Sequence, residues 1–188
     1  MRKKTIWKSQ LVIVCVILGL VISGCGPIKS TECLTQITEN CEAGYAKVND
    51  ITMYYEVHGS GEPLLVLHGS SGSIEDMKNG VVELSKNYQV IAVDTRGHGR
   101  TTDSDQPFSY ELFAKDFIAL MDLLEIDRAH ILGLSDGGIT GLTMAIYYPD
   151  RVNKLVTIGA NFTPDGLTDL EIEFLSDSEN IKKVHVSL

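Results

Sequence analysis

The 188-residue sequence has few of the features that mark several large classes of protein. Its 16 basic residues are outnumbered by 25 acidic ones, and the formal net charge of −9 argues against nucleic-acid binding. Its four cysteines include no C-x-x-C pair, its histidines form no cluster at ligand spacing, and no predicted strand leads into G-x-G-x-x-G. The sequence therefore predicts no metal, nucleotide or other cofactor.

Long hydrophobic runs are also scarce. The most apolar stretch, Leu11–Ile22, has 12 residues, which is too short to span a bilayer comfortably. It follows four basic residues and ends in Ile22-Ser23-Gly24-Cys25, an arrangement that resembles a bacterial lipoprotein signal peptide. The resemblance implies that residues 1–24 are removed and that acyl chains on Cys25 hold the protein at the extracytoplasmic face of the cell membrane. An uncleaved signal anchor and an ordinary secretory signal are the alternatives.

The residues after Cys25 are polar and lack periodicity. Residues 25–44 are expected to form a tether to a domain that begins near Tyr45. Cys33 and Cys41 would close a small disulfide loop in an oxidising compartment, or they would be two free thiols in a flexible stalk. Loss of residues 1–24, which hold four of the basic and none of the acidic residues, changes the formal charge to −13.

The stretch Gly133-Leu134-Ser135-Asp136-Gly137 has the pattern G-x-S-x-G. An apolar run precedes it and a helix-like segment follows it. In a nucleophile elbow the serine lies on a tight turn between strand and helix, and the glycines remove clashes within the closely packed backbone. Another glycine-rich turn, such as a phosphate-binding loop, is the alternative. The order of strand, turn and helix favours the elbow.

Buried strands and amphipathic helices alternate along the chain after a hairpin at Asn49-Asp50. Continuous apolar runs indicate strands buried on both faces, and apolar residues at helical spacing indicate the helices between them. The pattern predicts an α/β doubly wound fold with a mostly parallel sheet and helices on both faces. The runs lie at 64–67, 90–93, 129–134 and 155–158, and helices are predicted after Ser73, over 113–124 and over 138–148.

Three motifs follow predicted strands and would meet at the carboxyl edge of the sheet. They are His68-Gly69-Ser70-Ser71-Gly72, Asp94-Thr95-Arg96-Gly97-His98-Gly99 and the elbow with Gly138. In this order they resemble the α/β-hydrolase superfamily, and Ser-Asp-Gly-Gly followed by Tyr148-Pro149 is similar to its biphenyl-hydrolase-like and valacyclovir-hydrolase-like esterases. The resemblance runs from about Tyr45 to Asn161. Because this fold carries many chemistries, the motifs leave the substrate open.

The resemblance implies roles for individual residues. Ser135 would be the nucleophile that attacks an acyl carbonyl, and the backbone N–H groups of Asp136 and Ser70 would stabilise the oxyanion. The side chain of Asp136 is interpreted as an acid favoured by the helix N-terminus. Structural roles around the turn are expected for four neighbours: His68, Asp94, Arg96 and His98.

In this family the triad acid and histidine follow the serine along the chain. Only 30 residues follow Ile158, and segment 161–188 resembles the start of a helical lid. His185 is the one histidine after Ser135, and no predicted strand would bring it above the elbow. The sequence therefore predicts a hydrolase core over residues 45–160 that is cut short, with strand 155–158 as an unpaired apolar edge.

Two functions of different classes follow from these observations. The first is an exported, membrane-anchored serine hydrolase, esterase-like, that acts on a small acyl substrate through Ser135 and is inactive or impaired in this truncated form. The second is a non-enzymatic or vestigial lipoprotein that keeps half of the hydrolase sheet. A cofactor-free haloperoxidase or a C–C hydrolase would share the same serine. The sequence leaves the oligomeric state open.

Overall fold

The computed structural model describes residues 28–30, 33 and 41–161. Along these residues, strands and helices alternate in the predicted way. The strands are β1 (Ile28–Ser30), β2 (Cys41–Val48), β3 (Ile51–His58), β4 (Glu62–Leu67), β5 (Tyr88–Val93), β6 (Ala129–Leu134) and β7 (Val152–Ile158). The α-helices are α1 (Ile74–Leu84), α2 (Tyr110–Leu123) and α3 (Asp136–Tyr147), and a short 3-10 helix spans Pro149–Arg151.

The strands form one mixed sheet in the order β1-β2-β3-β5-β4-β6-β7. β4, β5, β6 and β7 are parallel, whereas β1, β2 and β3 join through antiparallel pairs. The chain passes from β4 to β5 on one side and then returns to β6 on the other, so the strand order reverses at β4. Sheets of this type bind ligands in the crevice outside the carboxyl ends of the strands at such a reversal. The predicted α/β class is confirmed.

The core lies on both faces of this sheet. On β4, Leu64 and Val66 pack in a cluster with residues of α1, while Leu65 and Leu67 pack in a second cluster with residues of α2 and α3. All four side chains are buried. Because a strand covered on both faces needs consecutive apolar residues, the unbroken runs in the sequence correctly indicated the central strands.

Helix α1 begins at the predicted cap. The hydroxyl of Ser73 accepts a hydrogen bond from the backbone N–H of Glu75, and the carboxylate of Asp76 accepts one from the N–H of Ser73 at 2.8 Å. This capping box satisfies N–H groups that the first turn of a helix leaves without a backbone partner. It fixes where the helix starts relative to the loop after β4.

The sheet begins earlier than the sequence indicated. β1 and the first residues of β2 lie within the span 25–44, for which a tether is predicted, and β2 pairs with β3 from Cys41 opposite His58 to Val48 opposite Ile51. Cys33 and Cys41 form a disulfide, the first of the two alternatives. Pairing with β3 along its whole length holds β2 in the sheet. The polar composition of the segment did not indicate this strand.

β7 occupies the other end of the sheet among the described residues, where it pairs with β6. Its side chains Val156 and Ile158 are 54% and 51% exposed, and Ile146 and Tyr147 at the end of α3 are each 62% exposed. Within the described part of the chain, the predicted apolar edge at 155–158 is therefore present. An exposed apolar strand edge favours association with other chains.

Several predictions concern residues that lie outside the described ones: the signal peptide (1–24), the lipidation site Cys25 and, beyond Asn161, the predicted lid (161–188). Across residues 28–30, 33 and 41–161, none of the helices has the length and apolar character needed to cross a bilayer.

Candidate active site

The predicted nucleophile lies at the junction of β6 and α3. Ser135 has φ 50° and ψ −117°, a left-handed backbone conformation that side chains other than glycine seldom adopt. Its backbone N–H donates to the carbonyl oxygen of Ile158 at 2.8 Å, so the end of β7 holds the turn in place. Strained backbone of this kind persists only where the surrounding structure fixes it.

The two glycines of the motif are required by close backbone contacts. A Cβ atom at Gly133 would lie 2.3 Å from the carbonyl oxygen of Gly137, and one at Gly137 would lie 2.5 Å from the carbonyl oxygen of Leu67. Both contacts are shorter than real Cβ atoms show, and both are to backbone that has little freedom to move. The pattern G-x-S-x-G is therefore a packing requirement of the strand–turn–helix junction.

Asp136 and Gly137, which follow Ser135 in the elbow, line a small cleft together with the loops after β4 and β5. A Cβ atom at Gly69 would lie 3.3 Å from the Cβ of Ser135, so the loop after β4 passes directly beside the predicted nucleophile. Ser70 and Asp136, whose backbone N–H groups are the predicted oxyanion donors, line the same cleft. The cleft is lined by His68, Gly69, Ser70, Thr95, His98, Phe113, Asp136, Gly137 and Thr140.

His68 is held as a neutral, structural side chain. Its Nε2 accepts a hydrogen bond from the backbone N–H of Thr95 at 3.0 Å, so Nδ1 carries the proton and donates to the carbonyl oxygen of Gly69 at 2.7 Å. Burial lowers the pKa of His68 to about 4. Both ring nitrogens are thus engaged, which fits the structural role expected for this residue and joins the loops after β4 and β5.

Asp94 organises the second loop from its buried position. Its carboxylate accepts hydrogen bonds from the backbone N–H groups of Ile74 at 2.8 Å and Arg100 at 2.9 Å. Its carbonyl oxygen accepts the hydroxyl of Thr101 at 2.6 Å. Burial raises the pKa of Asp94 above its ordinary value. The carboxylate therefore braces the loop against α1, as expected.

Arg96 has partners that the sequence did not reveal. Its guanidinium pairs with Asp116 on α2 and with Asp50 in the hairpin turn, and it donates to the hydroxyl of Ser104. These hydrogen bonds hold the pKa of Arg96 above its ordinary value, Asp116 contributing most. An aspartate within the apolar stripe of α2, next to Phe117, was the one sequence signal that could have identified this partner.

The side chain of Asp136 also has a partner on another helix. The hydroxyl of Tyr110, at the start of α2, donates to its carboxylate at 3.0 Å. Burial, with the nearby charge of Asp136, raises the pKa of Tyr110 to about 12. The carboxylate thus does more than favour the N-terminus of α3, because it links that helix to α2 at the wall of the cleft.

Of the predicted site residues, Ser135, Asp136 and Ser70 are brought together at one edge of the sheet. Cys33 and Cys41 lie elsewhere: their disulfide is on the antiparallel side of the sheet, where Cys41 begins β2. The arrangement around Ser135 can present a hydroxyl to a carbonyl carbon, with the N-terminus of α3 facing the charge that develops on oxygen.

Comparisons with known proteins agree with this geometry. The family described as alpha/beta hydrolase fold matches residues 62–181. The serine hydrolase BPHL of Mus musculus is 35% identical over 147 residues, covering 72% of this chain and 50% of that protein. A putative carbamate hydrolase, RutD, of Azorhizobium caulinodans is 33% identical over 122 residues, covering 65% of this chain and 46% of that protein.

Among solved structures, the enol-lactonase from Burkholderia xenovorans is similar, with 32% identity, a TM-score of 0.57, and coverage of 59% of this chain and 44% of that one. The fold and the strand–turn–helix junction at Ser135 define a protein of the alpha/beta hydrolase type. The chain belongs to the alpha/beta hydrolase fold family, as predicted. It spans about half the length of the curated relatives it matches.

Proposed function

We propose that this protein is a serine hydrolase that cleaves small acyl substrates, esters foremost, through Ser135. The observation that carries the proposal is the left-handed backbone of Ser135 at the start of α3. Ile158 holds this conformation through a hydrogen bond, and glycines stand two residues before and after Ser135 at positions that leave no room for a Cβ atom. Backbone strain of this kind lowers the stability of the folded protein, and a turn with only a structural role would not need it. Relatives named as hydrolases support the same reaction class.

In the proposed reaction, the oxygen of Ser135 attacks the acyl carbonyl and forms a tetrahedral intermediate. The backbone N–H groups of Asp136 and Ser70 donate to its oxyanion, and the leaving alcohol departs as the acyl-serine forms. Water then releases the acid. Loss of one oxyanion donor typically lowers the rate by about 10²–10³.

The hydroxyl of Ser135 needs a general base, which His68 does not provide because both of its nitrogens are already engaged. We place the triad acid and histidine outside the described residues, after β7, in agreement with the family's chain order. A form that lacks them would keep only the catalysis due to binding and the oxyanion hole.

A fluorophosphonate probe tests the proposal because it labels activated serines. The purified 188-residue chain is treated with the probe, with Ser135→Ala as the negative control and Ser60→Ala, an exposed position before β4 and outside the cleft, as the matched serine control. We expect labelling that is lost only in Ser135→Ala if the chain supplies its own base. A folded chain that stays unlabelled, and that hydrolyses no p-nitrophenyl ester, would contradict activity of this form.

We also propose that the protein is exported and held at the extracytoplasmic face of a bacterial membrane by acyl chains on Cys25. The basic start, the short apolar stretch and the cysteine after two small residues support this. Growth with radiolabelled palmitate should label the wild-type chain and leave Cys25→Ser unlabelled. Equal labelling of both chains would overturn the anchor, whatever the outcome of the probe experiment.

A further inference from the structure

A buried polar cluster lies on the antiparallel side of the sheet, among residues that do not line the active-site cleft. Tyr54, Glu56 and His58 alternate along β3 and therefore project to one face. All three side chains are fully buried. The hydroxyl of Tyr54 donates to Glu56 Oε1 at 2.8 Å, and His58 Nε2 lies 2.8 Å from Glu56 Oε2.

The Cys33–Cys41 disulfide lies against this cluster. Cys41 is opposite His58 in the register of β2 and β3, and its Sγ is 3.6 Å from His58 Nε2. Among the described residues, the two sulfur atoms and a carboxylate oxygen of Glu56 lie within 4.8 Å of one another. Two sulfurs and a carboxylate thus lie close together, and the imidazole of His58 lies beside both Cys41 and Glu56.

These four groups are a donor set that suits zinc. Zn²⁺ in proteins takes four ligands from thiolates, imidazoles and carboxylates, at about 2.3 Å to sulfur and about 2.0–2.2 Å to nitrogen or oxygen. A tetrahedron of that size separates its ligand atoms by roughly 3.5 Å. The 3.6 Å between Cys41 Sγ and His58 Nε2 matches this value. The two bonded sulfurs would have to separate, and His58 Nε2 and Glu56 Oε2, which lie 2.8 Å apart, would have to move apart to admit the ion.

We propose that reduction of the Cys33–Cys41 disulfide creates a zinc site whose ligands are Cys33, Cys41, Glu56 and His58. While the disulfide is intact, its sulfurs are bonded to each other and do not act as thiolate ligands. The site is therefore available in the reduced protein and closed in the oxidised one, and metal binding reports the redox state of the compartment. This redox-dependent zinc site goes beyond the proposed hydrolase activity and does not depend on that activity.

The redox step requires a dithiol reductant. A thiolate of the reductant attacks Sγ of Cys41, the more exposed of the two cysteines, and the disulfide bond breaks with Cys33 leaving as a thiolate. The second thiol of the reductant then releases Cys41, and the reductant becomes a disulfide. Two protons pass to the protein thiols, and Zn²⁺ displaces them when it binds.

The test is metal binding by the full 188-residue chain in detergent, in a Cys15→Ser/Cys25→Ser background so that only Cys33 and Cys41 carry thiols. Zinc is titrated in competition with a chromophoric chelator, before and after reduction with a phosphine. Glu56→Gln and Cys33→Ser remove proposed ligands, and Glu62→Gln is the control because that carboxylate is exposed on β4.

We expect one Zn²⁺ per reduced chain and none per oxidised chain. Cys33→Ser should abolish binding, Glu56→Gln should weaken it by at least about tenfold, and Glu62→Gln should leave it unchanged. Binding that is equal in the oxidised and reduced chains, or that survives Cys33→Ser, would overturn the proposal.

Because Glu56→Gln could disturb folding, X-ray absorption at the zinc edge provides a readout on the reduced background chain itself. Two sulfur and two nitrogen or oxygen neighbours are expected. A first shell without sulfur, or with four sulfurs from two chains, would contradict the proposed ligands.

Discussion

The guanidinium of Arg96 and the carboxylate of Asp116 form a bidentate salt bridge in which both side chains are fully buried. Nε donates to Oδ2 at 2.8 Å and Nη2 donates to Oδ1 at 2.9 Å. Paired charges of this geometry can be accommodated in an interior, whereas one left alone is costly. The pair joins the loop after β5 to helix α2, and so fixes one wall of the cleft.

Asp116→Asn should destabilise the protein strongly, because it removes the main partner of a buried guanidinium. We expect a loss on the order of 3 kcal/mol in the free energy of unfolding, measured by urea denaturation. Asp50→Asn should cost less, since that side chain is 36% exposed. Exposed Asp105→Asn is the control, and a loss in Asp116→Asn no larger than in this control would contradict the role of the pair.

Gly137→Ala should prevent normal packing of the elbow, because the added Cβ would meet the carbonyl oxygens of Leu67 and His68. We expect a loss of more than about 2 kcal/mol in stability. Gly80→Ala in helix α1 is the matched control, since a Cβ there meets nothing within 4 Å. It should raise stability by roughly 0.5–1 kcal/mol, as is usual for this change in a helix. Thermal denaturation of both variants checks the contrast.

Ser135→Gly should be more stable than Ser135→Ala by about 1 kcal/mol. Glycine adopts φ 50° without strain, whereas alanine keeps the Cβ that makes this conformation unfavourable. Both variants lack the hydroxyl, so the difference between them reports the relief of backbone strain less the greater chain entropy that glycine loses on folding. A Ser135→Gly variant that is less stable than Ser135→Ala would contradict a strained elbow.

The stability of the protein should fall as the pH drops from about 6.5 to about 4, because His68 takes up a proton more readily when unfolded. Its folded pKa, about 4, lies below the ordinary value of 6.5, so the unfolded state binds more protons in this interval. The stability that comes from burying His68 in its neutral form is fully present above pH 6.5 and is lost progressively as the pH falls below that value. Urea denaturation at several pH values should show that the free energy of unfolding depends less steeply on pH in His68→Asn than in the wild type.

Val156→Lys should reduce self-association of the chain. Val156 is 54% exposed on β7, the terminal strand of the sheet among the described residues, and a charge at that place opposes edge-to-edge pairing. Light scattering at increasing protein concentration measures the effect. Asn79→Lys, at an exposed position on helix α1, is the charge-matched control and should leave association unchanged.

Local patterns were sufficient for most of the architecture. Strands covered on both faces need unbroken apolar runs, such as Leu64–Leu67, and helix α1 carries its own start signal at Ser73. The elbow could be identified for the same reason, because its glycines and serine are required by contacts within one short segment. Local patterns did not predict the first strands of the sheet. Residues 28–30 and 41–44 have no strong periodic pattern, and they form strands because they pair with neighbouring strands.

The sequence by itself determined the family, the α/β class and the place of the strand–turn–helix junction at Ser135, since each depends on residues close together along the chain. The tertiary structure alone decided which polar groups meet across long separations. It pairs Arg96 with Asp116 and Asp50, Tyr110 with Asp136, and the disulfide with Glu56 and His58. Such partners leave no periodic signal, because burial and geometry select them only after strands and helices have packed together.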